Sequence, residues 1–267
     1  MTAHTLTLPD YTLHYWTAGS PDRPTVLFTH GASADHAMFD EQVRALAADY
    51  HVITWDVRGH GSSRPVTRPF TLRDCAADII ALLDALKIER AVLAGQSMGG
   101  MICQYVYLDH PQRVQAMIII GSISIALPYR WWEVLALKMT MPMFEMWPYQ
   151  HFARMVARQV STRPAVQDYM LRTTTVMSHK EFLQVWKAVT LAVDSKGLPG
   201  HQIRVPLLMT HGEHDDYGTI RRDAKKWAAY EPDVEYVVIP DAGHNANQDN
   251  PAFMNAVIGK FLRRVVG

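Results

Sequence analysis

Short continuous apolar runs recur along the chain: "TVLFTH" (Thr25 to His30), "HVITWD" (His51 to Asp56), "RAVLAG" (Arg90 to Gly95), "AMIII" (Ala116 to Ile120), "VPLLMTH" (Val205 to His211) and "VEYVVIP" (Val234 to Pro240). Runs of this length without polar alternation predict strands covered on both faces. Leu13 to Trp16 alternates instead, as an exposed early strand would. Between the runs lie amphipathic segments at helical spacing. Phe70 to Leu86 places Leu72, Cys75, Ala76, Ile79, Leu82, Leu83 and Leu86 on one face, and Met98 to Asp109 and Phe253 to Val265 read the same way. Strand–helix alternation of this kind predicts an α/β fold built on a mostly parallel sheet with helices on both faces.

One region breaks the alternation. Residues 123–199 contain no strand signal and are rich in Trp, Met, Tyr and Phe. "RWWEVLALKMTMPMFEMWPYQHFARMV" predicts two or three short helices punctuated by Pro142 and Pro148. This pattern divides the chain into a core of residues 1–122 and 200–267 and a helical insertion of residues 123–199.

Composition narrows the functional classes. The 267 residues suit one large domain, or a domain with an insertion, and 48% apolar with 19% charged content is ordinary for a globular protein. Twenty-six basic residues balance 26 acidic ones, and no block of like charge occurs. That balance gives no reason to expect a nucleic-acid or membrane partner. Cys75 and Cys103 offer neither a disulfide framework nor metal-ligand spacing, and read as small buried apolar residues. The N-terminal segment lacks the basic-then-apolar pattern of a signal peptide, so the expected location is cytoplasmic. Nothing in the composition bears on oligomeric state.

The chemistry concentrates at "AVLAGQSMGG" (Ala91 to Gly100), where a strand signal runs into a serine flanked by glycines. Gly95-Gln96-Ser97-Met98-Gly99 fits G-x-S-x-G, and its place between a predicted strand and a predicted helix is the context that pattern requires. Such a bend exposes the serine hydroxyl beside the free N–H groups and positive end of the following helix. A serine hydroxyl is a weak nucleophile and needs a base oriented by a third group. Both follow in the chain order serine, acid, histidine. Asp215 lies just after the strand of "LLMTHGEHDD", and His244 in the loop of "VVIPDAGHNANQDNP". Asp216 and Asp241 compete as acids but read as solvated loop charges, and Gly121-Ser122 at the end of an earlier strand offers no carboxylate. In "FTHGASADHAMF" a strand ends at His30-Gly31. The N–H of Ala32 with that of Met98 can form an oxyanion hole, with His30 orienting the loop.

Taken in order, "HGASADHAMF", "WDVRGHGSS", "GQSMGG", "HGEHDD" and "AGHNANQDNP" resemble the landmarks of the α/β-hydrolase fold superfamily over essentially the whole chain. The resemblance implies a Ser97–His244–Asp215 triad, a structural turn at Arg58-Gly59-His60-Gly61, and a cap formed by the helical insertion. It implies hydrolysis of a carboxylic ester or lactone through an acyl-enzyme, with no metal and no organic cofactor. A serine nucleophile excludes the branches that use aspartate, the dehalogenases and epoxide hydrolases. Carbon–carbon bond hydrolases typically carry a Gly-Pro-rich oxyanion loop and a Trp soon after the histidine, whereas here the segments are "HGASAD" and "HNANQ". Cofactor-free haloperoxidase or perhydrolase chemistry, or a slow-turnover ligand-binding receptor, can use the same triad.

The aromatic and Met residues of the insertion predict an adaptable apolar pocket suited to a small or medium apolar or aromatic acyl group. Trp147, between Pro142 and Pro148, is the leading expected pocket residue, with Met143 and Ile123 beside it.

Overall fold

Strands β3 (Thr25–Thr29), β4 (His51–Trp55), β5 (Ala91–Gln96) and β7 (Leu207–Gly212) are buried at every residue, which explains why their sequences do not alternate. They form the centre of an eight-stranded sheet in the computed structural model, which describes residues 1–266. The strand order is β1-β2-β4-β3-β5-β6-β7-β8, with β1 (Thr2–Thr7), β2 (Thr12–Ala18), β6 (Val114–Ile120) and β8 (Val234–Ile239) completing it. The β1–β2 and β2–β4 pairs are antiparallel and every other pair is parallel. Strand β1 carries no continuous apolar run, and only its pairing with β2 makes it a strand.

The parallel strands are joined by α1 (Asp40–Leu46), α2 (Leu72–Ala85) and α3 (Met98–Asp109) in the first half of the chain, and by α8 (Ile220–Tyr230) in the second. A one-turn helix, α9 (Ala246–Asp249), leads into the final α10 (Pro251–Val265). Between β6 and β7 run four helices: α4 (Trp131–Met146), α5 (Tyr149–Gln159), α6 (Pro164–Val176) and α7 (His179–Leu191). Residues 130–156 hold two of them, α4 and most of α5, within the two or three expected there, but Pro142 lies inside α4 rather than ending it. Proline removes one helical hydrogen bond, and because Pro142 is exposed, water can satisfy the carbonyl one turn back. Among the described residues no helix is long and apolar enough to cross a membrane.

Register brings the chemistry together. Gln96 pairs with Ile120 and Ile120 with Thr210, while Gly212 pairs with Ile239, so the strands stop nearly level. The loops after β3, β5, β6, β7 and β8 thus open at one edge of the sheet, where open α/β sheets bind ligands. On the neighbouring strand end, the turn after β4 is pinned from beneath. The buried Arg58 guanidinium donates to Asp78 at 2.6 and 2.5 Å, Tyr11 donates to the same carboxylate at 2.9 Å, and the guanidinium lies over the Tyr11 ring. Replacing Asp78 by Ala leaves a buried cation without its partner and should lower stability by about 3–5 kcal/mol, read from urea unfolding. A loss no larger than that of an exposed charge substitution would show that this pair does not pin the turn.

Candidate active site

Ser97 occupies the tightest point of the backbone, with φ 51° and ψ −116° between β5 and α3. A side chain in that conformation is strained, and the surrounding contacts leave it no relaxed alternative. A Cβ on Gly95 would collide with the Gly99–Gly100 backbone, and one on Gly99 with the Thr29 carbonyl. These two positions must be glycine for α3 to approach the sheet, which is the physical content of the G-x-S-x-G spacing. The Ser97 N–H donates to the Ile120 carbonyl at 2.9 Å, and the Ser122 hydroxyl donates to the Ser97 carbonyl at 2.6 Å.

The structure brings the three expected side chains into one chain of hydrogen bonds. The Ser97 Oγ lies 2.9 Å from His244 Nε2, and His244 Nδ1 lies 3.1 and 3.2 Å from the two carboxylate oxygens of Asp215. With Nδ1–H donating to the carboxylate, Nε2 is left free to accept the serine proton. The imidazole and the carboxylate are both buried. Asp215 Oδ1 also accepts the Tyr217 N–H at 3.1 Å, and the Tyr217 ring stacks on His244 at 4.6 Å between centroids. The neighbouring Asp216 is 74% exposed and pairs with Arg221 at 2.6 Å, well away from the imidazole.

The N–H groups of Ala32 and Met98 have no hydrogen-bond acceptor among the described residues, and both residues line the cavity that holds Ser97. The loop carrying Ala32 is fastened at several points. His30 Nε2 accepts the Val57 N–H at 3.0 Å, so its Nδ1–H donates to the Gly31 carbonyl at 2.8 Å. His36 donates through its backbone N–H and Nδ1 to the buried Asp56, both at 2.8 Å. Tyr169, from α6, donates to Asp35 Oδ1 at 2.9 Å and accepts the Asp35 N–H at 3.2 Å. Burial raises the Asp35 carboxyl above its usual range despite that bond.

The loop carrying His244 is held just as closely. Gly243 N–H donates to Asp249 at 2.8 Å, the His244 carbonyl accepts from Gln96 at 3.2 Å, and Asn245 N–H donates to the Val160 carbonyl at 2.8 Å. The Ser161 hydroxyl and the Thr162 N–H also donate to Asp249. Sequence reading missed Gln96, Tyr217, Asp249 and Tyr169. Gln96 lies inside the recognised motif, and its polarity at the end of an apolar strand was the available signal. The other three reveal themselves only through tertiary contacts.

A cavity of about 470 Å³ opens above Ser97. Its floor includes Ser97, His244, Ala32 and Met98, and its walls come mainly from the four inserted helices: Trp132, Leu137 and Thr140 of α4, Val156 of α5, Met170 of α6, and Phe182 and Trp186 of α7. Of the three pocket residues expected from the sequence, Ile123 borders this cavity, whereas Trp147 and Met143 do not. Trp147 caps the end of α4 and packs, half-buried, against the cluster of Phe144, Phe152 and Phe182, while Met143 is 45% exposed. Because α4 continues through Pro142, Met143 falls on its outer face, and the chain does not turn until after Trp147. Trp186 fills the place proposed for Trp147, its indole N–H donating to Thr140 Oγ1 at 2.7 Å.

A model of the alpha/beta hydrolase fold family matches residues 24–251. Over 120 residues the chain is 35% identical to 3-oxoadipate enol-lactonase 2 of Acinetobacter baylyi, and the match covers 45% of this chain and 45% of that relative. The chain thus aligns with less than half the length of that relative. Among solved structures, an esterase from Thermogutta terrifontis superposes with a TM-score of 0.86 at 22% identity, covering 100% of both chains. The enol-lactonase from Burkholderia xenovorans superposes with a TM-score of 0.85 at 23% identity, covering 97% of this chain and 100% of that one.

The histidines beneath the loop that carries Ala32 generate a pH prediction. Burial pushes His30 down to about 4 and His60, which lies edge-on to it at 5.0 Å, down to about 3. In the unfolded chain both take up protons near pH ~6.5. Below that value the unfolded state binds more protons than the folded one, so stability should fall as pH drops from about 6.5 toward 4. Urea midpoints measured across this range test it, and a midpoint that stays level or rises on acidification would contradict the neutral assignment.

Proposed function

The chain belongs to the α/β-hydrolase fold family, and on that premise we propose that it is a serine hydrolase of carboxylic esters and lactones. The observation that carries this reading is the continuous hydrogen-bonded line from Ser97 Oγ through His244 to the buried Asp215, beside two backbone donors without partners. His244 Nε2 takes the Ser97 proton as Oγ bonds to the substrate carbonyl carbon. The oxygen that becomes negative is held by the N–H groups of Ala32 and Met98, the second at the positive end of α3. Collapse breaks the bond to the alkoxy oxygen, which leaves with the proton carried by His244. In a lactone that hydroxyl stays attached to the acyl group, so ring opening and acylation are one event. Water then gives a proton to His244, its oxygen bonds to the acyl carbon, and Ser97 recovers its proton as the carboxylic acid departs. Asp215 keeps Nδ1 protonated and stabilises the imidazolium formed in each half-reaction.

The inserted helices act in this reading as a cap that sets acyl specificity. Their contribution to the cavity is mainly apolar, with Glu133 and Thr140 its polar members, and its size suits a small or medium aliphatic or aromatic acyl group. The enol-lactonase named above and the Thermogutta terrifontis esterase are consistent with ester and lactone substrates, without indicating which acyl group this chain accepts.

Two predictions test the roles. Ser97→Ala should leave a folded protein whose ester hydrolysis is lower by about 10⁴-fold or more, and a fluorophosphonate should label the parent at Ser97 alone. Labelling elsewhere would remove the nucleophile assignment. Asp215→Asn should cost far more activity than Asp216→Asn, because only the first donates orientation to His244; equal losses would contradict the acid assignment.

A third concerns the pocket. Trp186→Ala should shift kcat/KM toward longer p-nitrophenyl acyl chains by about 10-fold or more relative to short ones, the scale of added methylenes in an apolar site. Met143→Ala and Trp147→Ala should leave that ranking unchanged. A ranking that responds to Trp147 and not to Trp186 would mean the walls have been assigned to the wrong residues.

A further inference from the structure

The outer face of α4 is apolar where a surface helix is ordinarily polar. Trp131, Leu135, Met139 and Met146 follow one another at intervals of four, four and seven residues along the exposed side, with Trp132 and Met143 beside them. Met146 is 86% exposed and Trp131 70%, so neither is incidentally half-covered by a neighbour. The opposite side of the same helix contributes Leu137 and Thr140 to the cavity wall. A helix apolar on both sides has two apolar environments to satisfy, and the fold supplies only one of them.

We propose that this outer face of α4 docks on an anionic lipid surface, with Trp131, Leu135, Met139 and Met146 entering the zone between headgroups and acyl chains. Three observations favour a lipid surface. Trp and Met suit a boundary that is apolar on one side and wet on the other, where rigid packing partners are absent. The exposed charges along the stripe are cationic at two of three positions, Arg130 and Lys138 against Glu145; the Arg130 guanidinium lies over the Trp132 ring, and Glu133 is turned inward to pair with Arg222. The inserted segment as a whole is basic. Residues 123–199 hold nine Lys and Arg against five Asp and Glu, in a chain with 26 of each. Net neutrality therefore conceals a positive cap on a negative core, and only the cap has the sign an anionic bilayer attracts.

The consequence for chemistry rests on the ester-hydrolase reading. Trp132 touches both surfaces: it is 47% exposed on the outside and lines the cavity on the inside. An apolar ester dissolved in the bilayer would enter past Trp132 and reach Ser97 without crossing bulk water.

Docking is tested separately from catalysis, by co-sedimentation with vesicles of phosphatidylcholine alone and of phosphatidylcholine mixed with an equal part of phosphatidylglycerol. The parent protein should bind the mixed vesicles preferentially, and added salt should weaken that binding. The double variant Leu135→Ser, Met139→Ser changes two residues that do not line the cavity. It should bind the mixed vesicles at least about tenfold more weakly, since two buried apolar side chains are lost from the contact, with unchanged melting temperature and unchanged hydrolysis of a water-soluble ester. Ser97→Ala should bind vesicles like the parent, so absence of esterase activity would leave the docking result intact. Equal binding of both vesicle types, no binding to either, or vesicle binding unaffected by the double variant would overturn the proposal. A dimer seen by sedimentation velocity and dissociated by the double variant would assign the stripe to a second copy instead, and would overturn it too.

Discussion

The arrangement depends on holding one serine in a backbone conformation it would otherwise avoid. A non-glycine residue at φ 51° costs on the order of 1–3 kcal/mol, and that cost persists only because the neighbours forbid relaxation. Strands β3, β5 and β6 supply the restraint. Gly99 is pressed against the end of β3, the Ser97 N–H is bound to the end of β6, and Gly95 lets α3 descend onto β5. The sheet's buried apolar runs are thus coupled to the hydroxyl's position. Loosening the core would let the turn relax, and the Ser97 Oγ would leave the 2.9 Å contact with His244.

The histidine is held by a different device. Its loop places its positive-φ residue at Asp241 (φ 55°) and not at His244, which polar bonds from three directions fix instead. Asp249 gathers the N–H groups of Gly243 and Thr162 and the hydroxyl of Ser161, Gln96 reaches the His244 carbonyl, and the Asn245 N–H reaches the end of α5. Two of those anchors, Val160 and the Ser161–Thr162 turn, belong to the inserted segment. Tyr169 makes a similar connection from α6 to Asp35 in the loop that carries Ala32. The inserted helices therefore do more than enclose the cavity. They brace both loops that flank Ser97, so a change in their packing reaches Ser97 and His244 through hydrogen bonds as well as through the cavity wall.

How much of this was legible in the sequence follows from the range of the interactions. The parallel sheet could be read because strands buried on both faces need unbroken apolar runs, a requirement local to each segment. Ser97, Asp215 and His244 could be read because each lies at a strand end in a turn with its own local signature. Strand β1 could not, since its alternation is weak and its structure comes from pairing with β2. The cavity walls were the least legible part. Helix α4 offers apolar side chains around most of its circumference, so periodicity cannot say which face turns inward. The placement of Met143 outside and of Trp186 inside is decided by the packing of α4 against α7 and by the passage of the helix through Pro142. An exposed proline costs α4 one hydrogen bond without ending the helix.

The same circumference explains why composition and structure point differently on the question of surfaces. A net charge of zero over the whole chain averages a basic insertion with an acidic remainder, and electrostatic attraction to a surface depends on the local sign within about a Debye length, ~8–10 Å at ordinary salt. Apolar content averages in the same way. At 48% it is unexceptional, yet in α4 it is concentrated on a helix whose inner face already lines a cavity. A helix in that position is built from residues that serve two boundaries at once. Trp132 meets both directly, exposed outside and lining the cavity inside, which makes the rim of the cavity and the edge of the exposed stripe the same place on the molecule.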